Sequence, residues 1–130
     1  MEHIEIAEIN YRLILLPQYT KDLKSLKRLE PKLHAEVRES LKTEIESGKL
    51  DEIKETGGWV KGRAGSPTRN MGKSGGFRFI YLLFRVQHDI YLQTVYDHRP
   101  KKDLTPDEKK ALKAAAVEIK KAYELNEGKK

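Results

Sequence analysis

A chain of 130 residues can bury one hydrophobic core but not two, and 38% hydrophobic with 35% charged residues fits a globular protein with a polar surface. The absence of cysteine excludes disulfides and thiolate chemistry and fits a reducing compartment, and the four histidines (His3, His34, His88 and His98) are too scattered for a metal site. The formal charge of +6 is uneven: residues 1–60 hold 10 Lys/Arg against 12 Asp/Glu, whereas residues 61–130 hold 16 against 8, which points to a polyanionic partner.

The opening MEHIEIAEI is acidic and alternating, unlike a secretory signal, and residues 1–8 are expected to fray. Ile9, Tyr11, Leu13 and Leu15 then alternate as a strand that Pro17 ends, and the apolar run Leu13–Leu16 is far below the ~20 residues of a membrane span. Tyr19, Leu23, Leu26 and Leu29 fall at helical spacing. Pro31 suits a first helical position, and Leu33, Val37, Leu41 and Ile45 continue an apolar stripe to Gly48, which makes a helical hairpin or a broken long helix. His34 beside that stripe is expected as a surface or boundary residue rather than a ligand.

Beyond the acidic link Leu50–Glu55 the pattern turns to β. Gly57-Gly58 leads into a short strand, Trp59–Arg63, and then a loop, AGSPTRNMGKSGG. Two longer strands follow, Phe77–Val86 and Ile90–Asp97, joined by a tight turn at Gln87-His88-Asp89. The alternating Phe77, Phe79 and Tyr81 read as core. Thr105-Pro106-Asp107-Glu108 is a capping box, and Leu112, Ala115, Ile119 and Tyr123 mark the inner face of a final helix. Residues 124–130 are expected to fray. The order β-α-α-β-β-β-α specifies an α+β domain over residues 1–130, with its core in 9–122 and its helices on a small, mostly antiparallel sheet.

The cationic excess is concentrated in residues 61–102, where nine Lys/Arg face only Asp89 and Asp97. GKSGG at residues 72–76 invites comparison with a nucleotide-binding P-loop. That motif needs a glycine five residues before its Gly-Lys and a helix after it; here Pro67 holds the first place and a strand follows. The nucleotide reading fails on both counts. A two-residue hairpin turn would set Arg78 opposite Arg99 and Phe79 opposite His98, and a slip of one residue would set His98 against Arg78. Paired arginines repel unless an anion lies between them. Lys73, Arg78, His98, Arg99 and Lys101 are therefore expected at one sheet end. Metal-free RNA cleavage needs a base for the 2′-OH, cations for the phosphoryl oxygens and an acid for the 5′-oxygen. His98, with an unperturbed pKa of about 6.5, suits acid or base. Arg78 keeps its proton and acts electrostatically, and Lys73 suits either job if cationic neighbours lower its pKa.

The stretches GKSGGFRFIYL, IYLQTVYDHRPKKDLTPDEKKALKAAAVEIK and YTKDLKSLKRLEPKL together resemble the RelE/ParE superfamily of bacterial type II toxins, in its HigB-like, RelE-like branch, over residues 9–122. The resemblance implies the compact RelE/ParE fold. It also implies a cytoplasmic, ribosome-dependent mRNA endonuclease that acts in the A site without metal or cofactor and is neutralised by an antitoxin of helix-turn-helix type. On this resemblance Arg78, His98, Lys73 and Arg99 are the catalytic candidates, and Lys61, Arg63, Arg69, Lys101 and Lys102 the RNA-binding ones. The family's basic pair one strand earlier has no clean match, and Lys61, Arg63, Arg69 or Lys73 could fill it. Leu104 stands roughly where a family tyrosine would, and Tyr96 comes too early to match it. ParE-like relatives poison DNA gyrase with no nuclease constellation, and a non-enzymatic RNA-binding module would also account for the charge.

Overall fold

Backbone alternation begins earlier than the sequence pattern suggests. In the structure, a computed structural model that describes residues 1–101 and 103–127, Glu2–Ile6 forms a strand (β1). It turns through Ala7 and Glu8, both with positive φ, onto Ile9–Leu15 (β2). Ile4 and Ile6 point into the core while His3 and Glu5 face solvent, so the expected fraying of residues 1–8 gives way to a hairpin held by two buried isoleucines.

Pro17–Leu26 (α1) and Leu33–Ser47 (α2) are separate helices. Pro31 lies in the turn before α2 rather than at its first position, and Gly48 closes α2 in the left-handed region. Val60–Ala64 (β3), a 3-10 turn at Pro67–Arg69, Phe77–Phe84 (β4), Asp89–Asp97 (β5) and Pro106–Glu127 (α3) complete the chain. The last helix thus runs on into segment 124–130 instead of fraying at residue 124, and residues 128–130 lie outside the described residues.

The five strands form one sheet in the order β1-β2-β5-β4-β3, parallel between β2 and β5 and antiparallel elsewhere. The α+β class stands, with one strand more than expected. Each sheet face is covered. Phe77, Phe79 and Tyr81 pack with Tyr19, Val37 and Leu41 under α1 and α2. On the opposite face Trp59, Ile80 and Leu82 pack with Leu112 and Ala116 of α3, and Trp59 Nε1 donates to Leu112 O at 2.6 Å. The capping box forms as read: Glu108 N donates to Thr105 Oγ1 and Thr105 N to Glu108 Oε1.

Neither expected register of the last hairpin occurs. Arg78 pairs with Tyr96, and the connection is the four residues Arg85 to His88, with a register shift between Ile80 and Tyr81. The cause is Asp89. Its fully buried carboxylate takes both arms of Arg12, at 2.6 and 2.7 Å, and the Tyr123 hydroxyl, so it opens β5 and cannot serve as a turn residue.

Candidate nucleic-acid interface

GKSGG folds as a tight turn, with Gly75 N donating to Gly72 O. Gly76 has to be glycine: a Cβ there would sit 2.3 Å from Ala64 O, so only a bare backbone lets β4 start against β3. Gly76 O in turn accepts the His98 N–H at 3.1 Å, which ties the turn to the end of β5.

Arg78 lies inside this turn and is 5% exposed. Its Nη1 donates to Lys73 O at 3.1 Å and Phe77 O at 3.2 Å, and Nη2 donates to Ser74 O at 3.0 Å. The guanidinium, expected from the sequence to act electrostatically at the site, organises the carbonyls of the GKSGG turn. Loss of solvent and the charge of Arg63 weaken its hold on its proton, against a smaller opposing pull from Tyr96.

That influence of Arg63 follows from the pairing. Arg63 of β3 lies directly opposite Arg78, and Tyr96 of β5 lies opposite Arg78 on the other side. The expected arginine–arginine pair therefore exists, but its second member is Arg63 and not Arg99. Side chains directly opposite share a face, so Arg63, Arg78 and Tyr96 form a row across three strands on the face that α3 covers farther along. Lys61 pairs with Ile80 on the same face. Arg63 is exposed, and neither it nor Arg78 has a carboxylate within ion-pair distance among the described residues.

The row ends at Tyr96, whose hydroxyl is buried and has no hydrogen-bond partner among the described residues. Burial raises its pKa, Arg78 pulls the other way, and Asp103 and Glu108 reinforce the rise, so the phenol is protonated at neutral pH. Tyr96 and Leu104 line one cleft of about 430 Å³ between α1, β5 and α3. Tyr96 thus borders Leu104 across this cleft although they lie eight positions apart in the chain. Only the register of β5 against β4 could have identified it, and the long turn at residues 85–88 hid that register.

The other candidates divide. Lys73 sits exposed on the turn, and His98 is half-buried behind it. Arg99 is exposed at the end of β5, with its Nη1 3.9 Å from Met71 Sδ. Arg69 is occupied: it pairs with Asp97 at 3.1 Å, donates to Ser66 Oγ and lies over the Phe77 ring. Lys101 is committed to both oxygens of Glu108, at 2.8 and 2.9 Å. Burial alone would raise the Glu108 pKa, but the bonds from Lys101 and Thr105 hold it below the usual range. Lys102 lies outside the described residues. Sequence reasoning also missed Glu30, 1% exposed, which accepts from Ser66 Oγ, Thr68 N, Thr68 Oγ1 and Lys32 N and so pins the basic loop to the α1–α2 connection.

No group of three or more His, Asp or Glu side chains among the described residues is placed to hold a metal ion, and no helix among them is long and apolar enough to cross a membrane. No protein-family model matches the chain, and no curated protein matches it. Among solved structures, the chain is similar to the E. coli toxin RelE, as a mutant with two arginines replaced by alanine, in the free state. The two are 14% identical, with a TM-score of 0.49, over 84% of this chain and 96% of that one.

Proposed function

We propose that this chain is a RelE-like toxin that cleaves mRNA on the ribosome, using the row Arg63, Arg78 and Tyr96 to receive an RNA phosphate. The observation that carries the reading is the direct opposition of Arg63 and Arg78 with no carboxylate within ion-pair distance of either guanidinium among the described residues. Two like charges across a strand pair oppose folding, and an anion between them reverses the sign. RNA supplies that anion at every nucleotide.

In this reading the 2′-OH attacks the adjacent phosphorus, the bond to the 5′-oxygen breaks, and a cyclic phosphate and a 5′-hydroxyl result. Arg63, exposed beside Lys61 and Lys73, meets the charge that grows on the phosphoryl oxygens. Arg78 acts from behind it, as fixed charge and as the organiser of the turn. Tyr96, held protonated, supplies a hydroxyl donor, and His98 is the group suited to pass a proton near neutral pH. An antitoxin with an acidic segment laid over this sheet end would neutralise the same charges, in a bacterial cytoplasm where toxin and mRNA meet. A second reading, RNA binding without cleavage, draws support from the burial of Arg78 and the commitment of its donors to three carbonyls.

Inducible expression with mapping of mRNA 5′ ends decides between them. The nuclease reading expects in-frame, translation-dependent cuts that disappear in Arg63→Gln. RNA bound and left intact selects the binding module, and blocked DNA supercoiling selects a gyrase poison.

A further inference from the structure

An irregularity in the last hairpin sets the chemistry of the cleft beside the row. Ile80 of β4 pairs with Thr94 and Tyr81 with Leu92, so Gln93 has no partner across this strand pair and forms a β-bulge. The bulge changes which way β5 faces. Before it, Tyr91 packs on the α3 side and Leu92 on the α1–α2 side; after it, Val95 lies on the α1–α2 side and Tyr96 on the α3 side. Strict alternation from Leu92 would have turned Tyr96 to the α1–α2 side, away from Arg78. The extra residue brings Tyr96 into the row, and it sets Gln93 and Thr94 together in the lining of the same cleft.

Two uncharged polar groups in that cleft are unspent. Gln93 is half-buried, and its side-chain amide has no partner among the described residues; the buried Tyr96 hydroxyl has none either. The charged groups are occupied. Lys101 holds both oxygens of Glu108, while Asp22 accepts from Gln18 Nε2 at 2.8 Å and from Val95 N at 3.2 Å and also takes the Thr94 hydroxyl. Leu104 and, from the first turns of α3, Ala111 and Leu112 supply an apolar wall. The volume of about 430 Å³ is that of a small-ligand site. An ionic ligand would find no free counter-charge in this lining. A flat neutral ring would find apolar contact for its faces and an amide for its edge, and a nucleobase has that form.

We propose that Gln93 reads a base of the RNA whose phosphate lies at the row, and that Asp22 biases the choice towards an edge where an exocyclic amino group adjoins a ring-nitrogen acceptor, as in cytosine and adenine. This rests on the reading that RNA reaches the row, and it adds to that reading the part of the nucleotide that the chain selects. The Gln93 N–H donates to the ring nitrogen and its carbonyl oxygen accepts from the amino group, so one side chain holds two points of the edge. An amide can turn over to meet the reversed pattern of uracil, so the amide alone does not choose. The choice comes from charge. Lys101 and Glu108 cancel, whereas Asp22 is met only by neutral donors, and the remaining negative field favours an amino hydrogen over a carbonyl oxygen.

The test is titration of the 3′-monophosphates of cytidine, uridine, adenosine and inosine into nitrogen-15-labelled protein, followed at the Gln93 side-chain amide. The phosphate is common to all four, so the ratios within the size-matched pairs, cytidine to uridine and adenosine to inosine, report the base edge alone. A two-point contact to a base edge discriminates by a factor of about 5 or more, so the amino-bearing member of each pair is expected to bind at least about five times tighter. Gln93→Met, similar in length but without the amide, is expected to weaken the cytidine and adenosine nucleotides by about fivefold. Asp22→Asn keeps an acceptor for Thr94 and Val95 and removes the charge, and it is expected to bring both ratios to about 1. The wild-type ratios alone carry the test if either variant fails to fold. No shift of the Gln93 amide up to about 20 mM nucleotide, wild-type ratios of about 1, or affinities unmoved by Gln93→Met would each overturn the proposal. In-frame cuts mapped beside any of these failures would leave the nuclease reading standing, and the expected ratios without cuts would leave the base pocket standing on an RNA bound intact.

Discussion

Replacing Arg78 by methionine separates the two jobs that its position combines. The guanidinium bonds Lys73 O at 3.1 Å and Ser74 O at 3.0 Å, and bonds of charged donors contribute about 1.5–3 kcal/mol each. Gly72, Lys73 and Ser74 are exposed, so the released carbonyls can turn to water and the lower end applies, about 3 kcal/mol for the two. Against this stand the apolar fit of methionine and the end of repulsion from Arg63, which leave a net loss of roughly 2 kcal/mol, or roughly 8 °C in Tm for a chain of this size. Arg78→Lys keeps the charge without the fork and is expected to lose about half as much. Urea unfolding followed by circular dichroism measures the loss, and hydrogen exchange at Gly75 and Gly76 should report a loosened turn. Arg63→Gln is expected to behave oppositely, with stability unchanged or raised by a few tenths of a kcal/mol while RNA binding falls. Arg78→Met with the wild-type midpoint and wild-type exchange would refute the role in the turn. Arg63→Gln destabilising by more than about 1 kcal/mol would refute the repulsion.

Tyr96→Phe removes a buried hydroxyl that has no partner among the described residues, so it is expected to raise stability by about 1 kcal/mol and to lower RNA cleavage; calorimetry and 5′-end mapping check the two halves. Glu30→Gln leaves the Lys32 N–H facing an amide donor and is expected to cost about 2 kcal/mol at pH 7. Burial pushes the Glu30 pKa up, but bonds from Thr68, Ser66 and Lys32 outweigh it and hold the folded value low. Its contribution is therefore complete above the unfolded value of about 4.3 and is lost as pH falls through the lower folded value. The gap between wild type and Glu30→Gln should accordingly close in acid urea titrations, and a gap constant down to pH 2 would contradict this. Gly76→Ala drives a methyl onto Ala64 O and is expected to cost about 3 kcal/mol in melts, with loss of the His98–Gly76 bond visible by amide exchange.

Much of the fold is legible in the sequence because local patterns and tertiary burial agree. The capping box, the Phe77–Phe79–Tyr81 stripe and the final helix each follow from spacing that no distant partner overrides. β1 escapes a reading of the sequence because the glutamates beside Ile4 and Ile6 make alternation look like an acidic tail. The register of β4 against β5 is illegible for a tertiary reason. Asp89 reads as a turn residue until Arg12, 77 positions away, and Tyr123, 34 positions away, are seen to bury it. With the register go the neighbours of Arg78, and so Tyr96 escapes notice as well. The cation cluster is visible as composition, but composition cannot tell Arg63, which is exposed, from Arg69 and Lys101, which are spent on Asp97 and Glu108.

The pairing of Arg63 with Arg78 assigns the two arginines different work. Three main-chain carbonyls point their negative ends at Arg78 and offset part of its charge. It can therefore stay buried with no carboxylate beside it among the described residues, whereas an uncompensated buried charge would cost far more than the turn returns. Arg63, on the sheet edge and in solvent, makes no ion pair among the described residues; the Glu44 carboxylate that takes its backbone N–H at 3.1 Å fixes the strand beneath it and feels its charge. The repulsion then favours conformations in which the Arg63 side chain extends away from Arg78 and towards solvent, where a phosphate would arrive. A carboxylate placed to relieve the pair would stabilise the fold and fill the place that an anion takes. The unfavourable pair is thus consistent with a site kept open for ligand, and Arg78 holds the GKSGG turn, with Lys73 upon it, in position around that site.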